Sequence, residues 1–477
     1  MSYKLSFLGA AGTVTGSKYL LQTPDHRILI DCGLFQGFKQ LRERNWKPFP
    51  VDPASIDAVL LTHAHLDHSG YVPALIRDGF KGPVLSTHAT LKLCELLLPD
   101  SGYLMEADAR YAKRKGYSKH KSPRPLYTQA DAKAALKSFR PVPFQEPVEV
   151  TRDCKAIFRP MGHILGASSI ELQCDDMKIV FSGDIGRYGS ATMVDPVVVP
   201  EADYIVTEST YGNRHHGEAD PESVLEDVVG RTVRRGGSVI IPSFAIGRAQ
   251  TLLYHLGQLR QRGRLPQIPI YLDSPMAVNA SSIFCDHLGE HRLTEKQCRD
   301  ACGIAEYVRE AEESKQLNRS AMPKIIISAS GMATGGRILH HLKHYAPSHR
   351  NTIILAGFQA GGTRGAALRD GATELKIHGS YIPIRAEVAQ LRAELEAKGH
   401  DEQGEAALTS QHLPTVLHFA ALLTGATFRV SIASDGCQVI ECDGVGAKAA
   451  EPPLVTSITM EKRTSSSRKT EASQNSS

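Results

Sequence analysis

The segment from residue 62 to residue 68 constrains this chain more than any other part of it. It reads Thr-His-Ala-His-Leu-Asp-His and directly follows an apolar, strand-like run. Residues two apart in an extended segment point the same way, so His63 and His65 lie side by side. Asp67 and His68 then return toward them as the chain turns into a helix. Imidazole nitrogens and carboxylate oxygens suit zinc, and catalytic zinc leaves one position to water. The segment therefore predicts a metal site, and surface histidines in a polar turn are the disfavoured alternative.

Two residues farther along the chain extend this prediction to a second ion. His163 lies in a Gly-His-Ile-Leu-Gly segment, and Asp184 ends a Ser-Gly-Asp segment. Alone, His163 is about as consistent with an ordinary turn as with a metal ligand, and Asp184 is more often a turn residue. Together with the cluster, they offer enough nitrogen and oxygen donors for a pair of ions. We therefore expect side chains from three separated stretches to converge.

Hydrophobic periodicity divides the chain into four parts. Residues 1–210 have the pattern of short strands between Gly-rich turns, whereas strand–helix alternation from 211 predicts a parallel α/β domain. The short-strand pattern returns near 376, so the α/β block is interpreted as an insertion. The expected parts are 1–210, 211–375, 376–455 and 456–477, the last being a polar tail expected to be disordered.

Several predicted strands end on a residue that can do chemistry, namely Asp31, His63, Asp184 or Glu208. The clearest predicted strands are Lys18–Leu21, Ile28–Asp31, Ala58–Thr62, Ile179–Ser182, Tyr204–Thr207, Val239–Ile241, Ile268–Leu272, Lys324–Ser328 and Thr352–Ala356. The clearest predicted helices are Ser69–Arg77, Pro221–Arg235, Arg248–Gln261 and Gly336–Tyr345.

Composition places the chain among ordinary globular proteins. Of its 477 residues, 42% are hydrophobic and 22% are charged, and no apolar run reaches the roughly 20 residues of a membrane helix. The first residues lack a long apolar signal core, so we expect a cytoplasmic protein without membrane contact. The net charge of +4 permits an anionic partner without requiring one. Cys298 and Cys302 are interpreted as structural thiols rather than as a metal knot.

The metal-binding pattern, with His163 and Asp184 downstream, resembles the signature of the metallo-β-lactamase superfamily, and Asp31 matches its first motif. The second half resembles the β-CASP branch, which comprises RNA- and DNA-processing nucleases. The segments that carry this second resemblance are Glu208–Gly212, Pro242–Gln250, Asp273–Met276, Ser328–Met332 and Gly335–Arg337. The match extends to about residue 388. It implies the α/β fold class: a metallo-β-lactamase αββα sandwich with an inserted β-CASP α/β domain.

Transferred position by position, the resemblance implies roles for the matching residues. One zinc would be held by His63, His65 and His163, the other by Asp67 and His68, and Asp184 would bridge both. Asp31 would orient the ligands, and Glu208 would help to organise the catalytic centre together with Asp67. Two zinc ions lower the pKa of a water toward about 7 and neutralise charge on a phosphate. The resemblance thus implies phosphodiester hydrolysis that leaves a 5′-phosphate.

Gly-rich turns and arginines in the second half are candidates for binding the substrate. Backbone N–H groups at Ser330 and Gly331 can cradle a phosphate, and Arg337 and Arg364 can clamp others. Arg248 lies at a predicted helix start, where a cation opposes the helix dipole and an anionic partner would explain it. The alternative for each Gly-rich turn is a tight entry into a helix.

Residues 110–140 form a strongly basic stretch in which tyrosines are interleaved. Its cations are Arg110, Lys113, Arg114, Lys115, Lys119, Lys121, Arg124, Lys133, Lys137 and Arg140. Cations that follow phosphates and rings that stack on bases are typical of grooves for single-stranded nucleic acid. A solvated helical face is the alternative interpretation.

The C-terminal part departs from the family pattern, because neither of its two late histidine segments is recognisable. His400 is a candidate for the missing proton donor and His418 for the missing metal ligand, and an ordinary exposed or core histidine is the alternative for each. This part is either divergent or scrambled by a frame error. In either case the second metal site and the proton donor are in question.

The sequence therefore favours a zinc-dependent hydrolase that cleaves single-stranded RNA, as an endonuclease, a 5′-exonuclease or both. Two alternatives stay open: a catalytically impaired RNA-binding pseudoenzyme of a processing complex, and a metallo-hydrolase for small esters. A homodimer is compatible with the sequence, which does not fix the oligomeric state.

Overall fold

The computed structural model describes residues 3–116, 122–199, 201–210 and 220–391, and beyond these the backbone of four strands between 415 and 460. The strands up to residue 210 are β1 (Tyr3–Gly9), β2 (Lys18–Gln22), β3 (Arg27–Ile30), β4 (Ala58–Leu60), β5 (Val84–Thr87), β6 (Phe139–Val142), β7 (Pro147–Thr151), β8 (Cys154–Pro160), β9 (Ser168–Cys174), β10 (Met177–Phe181) and β11 (Tyr204–Thr207). Those that follow are β12 (Val239–Pro242), β13 (Ile270–Asp273), β14 (Glu306–Tyr307), β15 (Ile325–Ser328), β16 (Thr352–Leu355), β17 (Glu374–Ile377), β18 (Ser380–Pro383), β19 (Glu387–Gln390), β20 (Thr415–His418), β21 (Phe428–Ile432), β22 (Gln438–Cys442) and β23 (Thr456–Met460).

The α-helices of the described residues alternate with these strands. They are α1 (Lys39–Arg44), α2 (Leu66–Ser69), α3 (Val72–Arg77), α4 (His88–Lys115), α5 (Gln129–Ala135), α6 (Pro221–Arg234), α7 (Arg248–Gln261), α8 (Pro275–Asp286), α9 (Glu295–Gly303), α10 (Ala311–Arg319), α11 (Ile338–Tyr345) and α12 (Arg364–Arg369). None of them combines the length and apolar character that a bilayer crossing requires.

Two sheets packed face to face form the first unit. The first has the order β23-β1-β2-β3-β4-β5-β6, and the second has the order β21-β22-β20-β11-β10-β9-β8-β7. Apolar side chains such as Leu5 and Ile28 of the first sheet meet Phe158 and Ile170 of the second in one core. The opposite face of the first sheet is covered by α3, α4 and α5. Strands buried on both faces are continuous apolar runs, as β4 is.

A third sheet, with the order β14-β13-β15-β12-β16-β19, forms the second unit. All its strand pairs are parallel, and apolar clusters cover both of its faces. This is the arrangement that strand–helix alternation predicts. Strand β19 lies beyond the expected boundary at 375 but belongs to this sheet, because it pairs in parallel with β16.

Most predicted elements occur within one or two residues of their predicted bounds, and α7 coincides with its prediction. The helix predicted at Ser69–Arg77 is instead two short helices, α2 and α3. The expected disorder from residue 456 is wrong for its first five residues, because β23 pairs with β1 in register from Tyr3↔Met460 to Phe7↔Thr456. The remainder of that segment, 461–477, lies outside the described residues.

Cysteines are distributed between a cross-strand pair and free thiols. Cys154 and Cys174, directly opposite each other on β8 and β9, form a disulfide. Cys298 is a buried free thiol, and the Sγ of Cys302 lies 3.3 Å from that of Cys285. Both residues lie on α9, and Cys302 faces Cys285 of α8; the structural role of these thiols stays a prediction.

Candidate metal centre

Four side chains from three separate stretches meet where strands of the sandwich end. His63, His65, His163 and Asp184 each offer one ligand atom, and these atoms all lie within 4.8 Å of one another. His63 and His65 follow β4, His163 lies between β8 and β9, and Asp184 follows β10. Short turns hold these segments close: a Cβ on Gly186 would lie 2.2 Å from the carbonyl carbon of Gly162.

The three imidazoles face one another through their nitrogens. The Nδ1 atom of His65 lies 3.1 Å from Nε2 of His63 and 3.2 Å from Nε2 of His163. Ligand nitrogens at about 2.0–2.1 Å from a tetrahedral zinc would lie about 3.3 Å apart. The Nε2 atom of His65 is buried and has no hydrogen-bond partner within the described part of the chain. The donor set and its spacing therefore fit a metal ion.

The carboxylate of Asp184 divides its two oxygens between two sets of histidines. Oδ2 lies 3.6 Å from Nε2 of His63 and 3.4 Å from Nε2 of His163. Oδ1 lies 3.1 Å from Nε2 of His68, on the other side. This placement of one carboxylate between two groups of nitrogens is the geometry that a bridge between two ions requires.

A buried network behind the cluster fixes the direction of His68. Its Nδ1 atom lies 2.7 Å from Oδ2 of Asp31, a fully buried carboxylate. The backbone N–H and the hydroxyl of Thr62 donate to the same carboxylate at 2.8–3.0 Å. A carboxylate that binds one ring nitrogen fixes the tautomer and directs the other nitrogen outward. Asp31 therefore holds His68 with Nε2 toward Asp184.

The electrostatics of the cluster differ between its two sides. Burial and, after it, the neighbouring His163 lower the pKa of His65 to about 3; burial also lowers the pKa of His63. Burial would lower the pKa of His68 too, but Asp184 and Asp31 outweigh it and raise that pKa. His63 and His65 are thus neutral at pH 7, as metal-binding imidazoles must be.

Two further acidic residues lie beside the cluster. Burial raises the pKa of Asp67 to about 6, and its carboxylate interacts electrostatically with His68 and Asp184. Burial, followed by the charge of Asp184, raises the pKa of Glu208 to about 7. Oε1 of Glu208 accepts from the backbone N–H of Ile185 at 2.7 Å, so Glu208 holds the loop that carries Asp184.

Three of the candidate substrate-binding residues lie near this cluster. Arg248 begins α7 and lies close enough to His65 for its charge to contribute to the lowered pKa of that imidazole. Gly331 packs against Phe244, whose ring centroid is 6.3 Å from that of His65. Ser330 precedes Gly331, and its hydroxyl lies 3.0 Å from that of Thr334. The Gly-rich turn therefore borders the metal cluster through Phe244.

Arg337 and Arg364 are engaged by the protein itself. Arg337 donates to Oδ1 of Asp273 at 2.6 Å and to the carbonyl oxygens of Val308 and Arg309. Arg364 donates to the carbonyl oxygen of Lys376 at 2.7 Å and to two carbonyls of the turn after Gly331. Both guanidinium groups thus brace backbone segments, and their contacts with phosphate stay predictions.

The remaining candidates fall partly outside the described residues. His400 lies outside them, and His418 is described only as the last residue of β20, whose backbone pairs with Thr207. That register puts the end of β20 beside the end of β11, one residue before Glu208. The first part of the basic stretch, as far as Lys115, forms the end of α4. Within it, the ring of the exposed Tyr111 lies 5.4 Å from the guanidinium of Arg114. Tyr117, Lys119 and Lys121 lie outside the described residues.

Three residues near the cluster were missed by the sequence analysis. Thr62 was quoted only as part of the motif, although its hydroxyl donates to Asp31 and lies 3.1 Å from Nδ1 of His63. Phe244 was noted only as part of a segment that resembles the family, although its ring lies between His65 and Gly331. Arg187, three residues after Asp184, lies near enough to Arg248 for the two charges to interact. Its proximity to Asp184 in the sequence was the available signal, whereas its proximity to Arg248 depends on the fold.

Comparison with known proteins agrees with this geometry. Residues 11–221 match the Metallo-beta-lactamase superfamily, and residues 249–368 match the Beta-Casp domain. The protein named Ribonuclease TTHA0252 of Thermus thermophilus is 38% identical over 418 residues, which are 85% of this chain and 91% of that protein. An RNase J-like protein of Methanocaldococcus jannaschii is 31% identical over 392 residues, 81% of this chain and 85% of its own length.

Two other matches mark the limits of the comparison. Transcription termination factor FttA of Methanosarcina mazei is 32% identical over 395 residues, but the chain spans only 59% of that protein. A solved structure of a protein of unknown function from Enterococcus faecalis superposes with a TM-score of 0.50 at 12% identity, covering 96% of this chain and all of that one. The latter likeness concerns the fold alone. By its relatives and its two matched domains, the chain belongs to the metallo-β-lactamase superfamily and, within it, to the Beta-Casp family.

Proposed function

We propose that this chain is a zinc-dependent ribonuclease that hydrolyses phosphodiester bonds of single-stranded RNA by means of two metal ions. Family membership and relatives named as ribonucleases support hydrolysis of RNA. The observation that carries the proposal is the position of Asp184, with one oxygen toward His63 and His163 and the other toward His68. Endonucleolytic and 5′-exonucleolytic cleavage are both compatible with it.

The proposed ligands fall into two sets around that carboxylate. His63, His65 and His163 would hold one zinc, Asp67 and His68 would hold the other, and Asp184 would serve both. When bound, such a pair supplies a hydroxide at neutral pH and neutralises charge that develops on a phosphate. The protein's own contribution is to keep His63 and His65 neutral by burial.

Residues around the ligands orient them and approach the substrate. Asp31 holds the tautomer of His68, and Glu208 holds the loop of Asp184 through the N–H of Ile185. Arg248 places a positive charge beside His65, where it would offset the charge of a bound phosphate. Ser330 and Gly331, across Phe244, would bind a neighbouring phosphate through backbone N–H groups. His400 and His418 stay candidates for the proton donor and the last ligand.

The proposal is tested by metal analysis combined with cleavage of an end-labelled RNA. We expect two zinc ions per chain, cleavage that stops on chelation, and a His65→Ala variant that retains its fold but loses cleavage. His349→Ala, a change at an exposed histidine, is the matched control. Intact RNA in the presence of a full zinc complement would contradict the proposal. The position of the cleavage products distinguishes endonucleolytic from 5′-exonucleolytic action.

A catalytically impaired RNA-binding protein is the second candidate, and one observation favours it. Among the described residues, the group whose ligand atoms lie close enough to hold one ion contains neither His68 nor Asp67. A chain that fills only this group would lack the second ion. Binding of RNA with one zinc and no cleavage would support this candidate, whereas turnover of a small ester without action on RNA would support an esterase.

The division of the chain is part of the proposal. We propose a metallo-β-lactamase unit formed by 1–210 together with the strands between 415 and 460, interrupted by a Beta-Casp unit that begins near 211 and, because β19 pairs with β16, extends past the expected boundary at 375. We further propose a cytoplasmic location, with a homodimer as one candidate assembly. Mass measurement in solution tests the assembly.

A further inference from the structure

The hairpin of β17 and β18 presents a histidine on an exposed turn of the second unit. The turn residues His378 and Gly379 have φ angles of +49° and +85°. Two successive left-handed residues make the tight turn whose twist matches an antiparallel hairpin, and glycine tolerates this conformation best. The side chain of His378 is therefore held outward at the tip, and it is exposed.

A second imidazole and two cations lie near that side chain, and an exposed ring lies on the same hairpin. The ring centroids of His378 and His340, on α11, are 4.7 Å apart. Positive charges on Lys343 and Arg364 act on His378 and, after burial, lower its pKa. Tyr381 is 62% exposed, and Nζ of Lys376 lies 5.5 Å from the centroid of its ring.

We call these residues the hairpin surface. It consists of His340, Lys343, Arg364, Lys376, His378 and Tyr381. Neither Lys343 nor Lys376 forms an ion pair within the described part of the chain. The surface is thus a cluster of cations and imidazoles beside an exposed ring. The charges of its two lysines are not neutralised by an acidic side chain of the described residues.

A continuous series of contacts links the hairpin surface to the metal centre. The ring of Phe244 separates His65 from Gly331. The side-chain amide of Gln359 donates to the carbonyl oxygen of Gly331 at 3.1 Å. Arg364 then joins the turn after Gly331 to the carbonyl oxygen of Lys376. The surface therefore lies on the same succession of loops that borders the metal cluster.

An exposed phenylalanine lies on these loops as well. Phe38 of the first unit is 56% exposed, and a Cβ on Gly361 would lie 2.5 Å from the tip of its ring. The charge of Arg42, on α1, reaches Arg364 and contributes to lowering its pKa after burial. Phe38 and Arg42 of the first unit therefore lie beside the loop that contains Gly361 and Arg364.

We propose that the hairpin surface is a second RNA-binding site, which holds a single strand at a distance from the metal centre. The charges of Lys343 and Lys376 would bind successive phosphates, and Tyr381 and His378 would stack on bases. Alternation of cations and exposed rings is the chemistry that binds single strands without reading sequence. The inference rests on the proposed function for the identity of the ligand, and it adds a site that the metal centre does not include.

The test measures binding of a fluorescent, non-cleavable RNA of about 20 nucleotides over a range of salt concentrations, because a single groove covers roughly 4–16 nucleotides. Lys343→Ala combined with Lys376→Ala is expected to reduce the slope of log K against log salt by about 1.4, or about 0.7 per phosphate contact. Tyr381→Ala is expected to weaken binding about tenfold with an unchanged slope, and Tyr381→Phe to restore it. Lys155→Ala, an exposed lysine on β8, is the matched control.

Three results would overturn the inference: wild-type affinity and slope in both variants, Tyr381→Phe as weak as Tyr381→Ala, or an equal loss for an RNA of about 4 nucleotides. Unfolding curves and zinc content must match the wild type, which separates loss of contact from loss of fold. If the wild type binds through this surface but does not cleave RNA, the proposed function fails and the site stands. If it cleaves while the variants bind normally, the site fails and the function stands.

Discussion

The two units of this protein each bury a cluster of aspartate and histidine, and the clusters differ in how they are satisfied. In the first unit, three imidazoles face one another and share a single carboxylate, and Nε2 of His65 has no partner among the described residues. In the second unit, the fully buried Asp273 accepts from Arg337 at 2.6 Å and lies 2.6 Å from Nε2 of His341, and the hydroxyl of Ser314 also donates to it.

The comparison distinguishes a ligand-binding site from a network that only stabilises the fold. At Asp273 every charge meets an opposite charge or a hydrogen-bond partner, so the network is complete without a ligand. In the first unit, Nδ1 of His65 lies between two other imidazole nitrogens and Nε2 of His65 has no partner within the described residues, so this network is incomplete without a ligand. Residue type alone therefore does not distinguish the two, whereas the match between donors and acceptors does.

Removing the shared carboxylate should have the largest effect. Asp184→Asn keeps the shape of the side chain but removes the charge that faces both sets of histidines. We expect zinc content to fall by at least one ion per chain and cleavage to fall by more than about 100-fold, since changes to groups behind the ligands already cost roughly 10–100-fold. Metal analysis and initial rates measure this effect. Asp286→Asn, at an exposed carboxylate, is the control, and unchanged zinc content would refute the bridging role.

A change in the buried network around Asp273 should affect stability rather than metal binding. Asp273→Asn leaves the partly buried Arg337 and the buried His341 without their carboxylate partner, and we expect the free energy of unfolding to fall by about 3–5 kcal/mol. Urea unfolding followed by circular dichroism measures this loss. Zinc content of the folded fraction should stay at the wild-type value. A loss of zinc without a loss of stability would show that the comparison between the two clusters is mistaken.

The residue behind the cluster offers an intermediate case. Asp31→Asn replaces the acceptor that fixes Nδ1 of His68, and we expect zinc affinity to fall by roughly 10–100-fold while the ligands remain. Competition with a chelator of known affinity gives the measurement. If affinity were unchanged, Asp31 would be a structural acceptor for Thr62 alone.

The smallest effect should appear in the dependence of stability on pH. Burial would raise the pKa of Asp273, but its bonds to His341, Ser314 and Arg337 outweigh burial and lower it. A carboxyl whose pKa is lowered by folding stabilises the protein above its unfolded pKa of about 3.9, and this stabilisation is lost as the pH falls through the folded pKa. The difference in unfolding free energy between wild type and Asp273→Asn should therefore be constant near pH 7 and shrink below about pH 4. A difference that grows on acidification would contradict this sign.

Much of the fold was predictable because each unit has a periodic apolar pattern. Helix α7 begins and ends where its leucine spacing predicts, since the spacing follows from the face that it buries. Strand β23 was missed because its own sequence is polar and rich in Ser and Thr, and it forms a strand only by pairing with β1. Pairing between distant segments leaves no periodic signal within either of them.

The sequence by itself determined which atoms could bind a metal, because His63, His65, Asp67 and His68 lie on one short segment whose extended geometry allows few arrangements. Only the tertiary structure decided that Asp184 would turn one oxygen to each set of histidines, and that Arg337 would pair with Asp273. Those positions depend on how β10, β13 and α11 pack against distant strands. Spacing along a chain constrains neighbours, whereas contact between distant residues is set by the free energy of the packed whole.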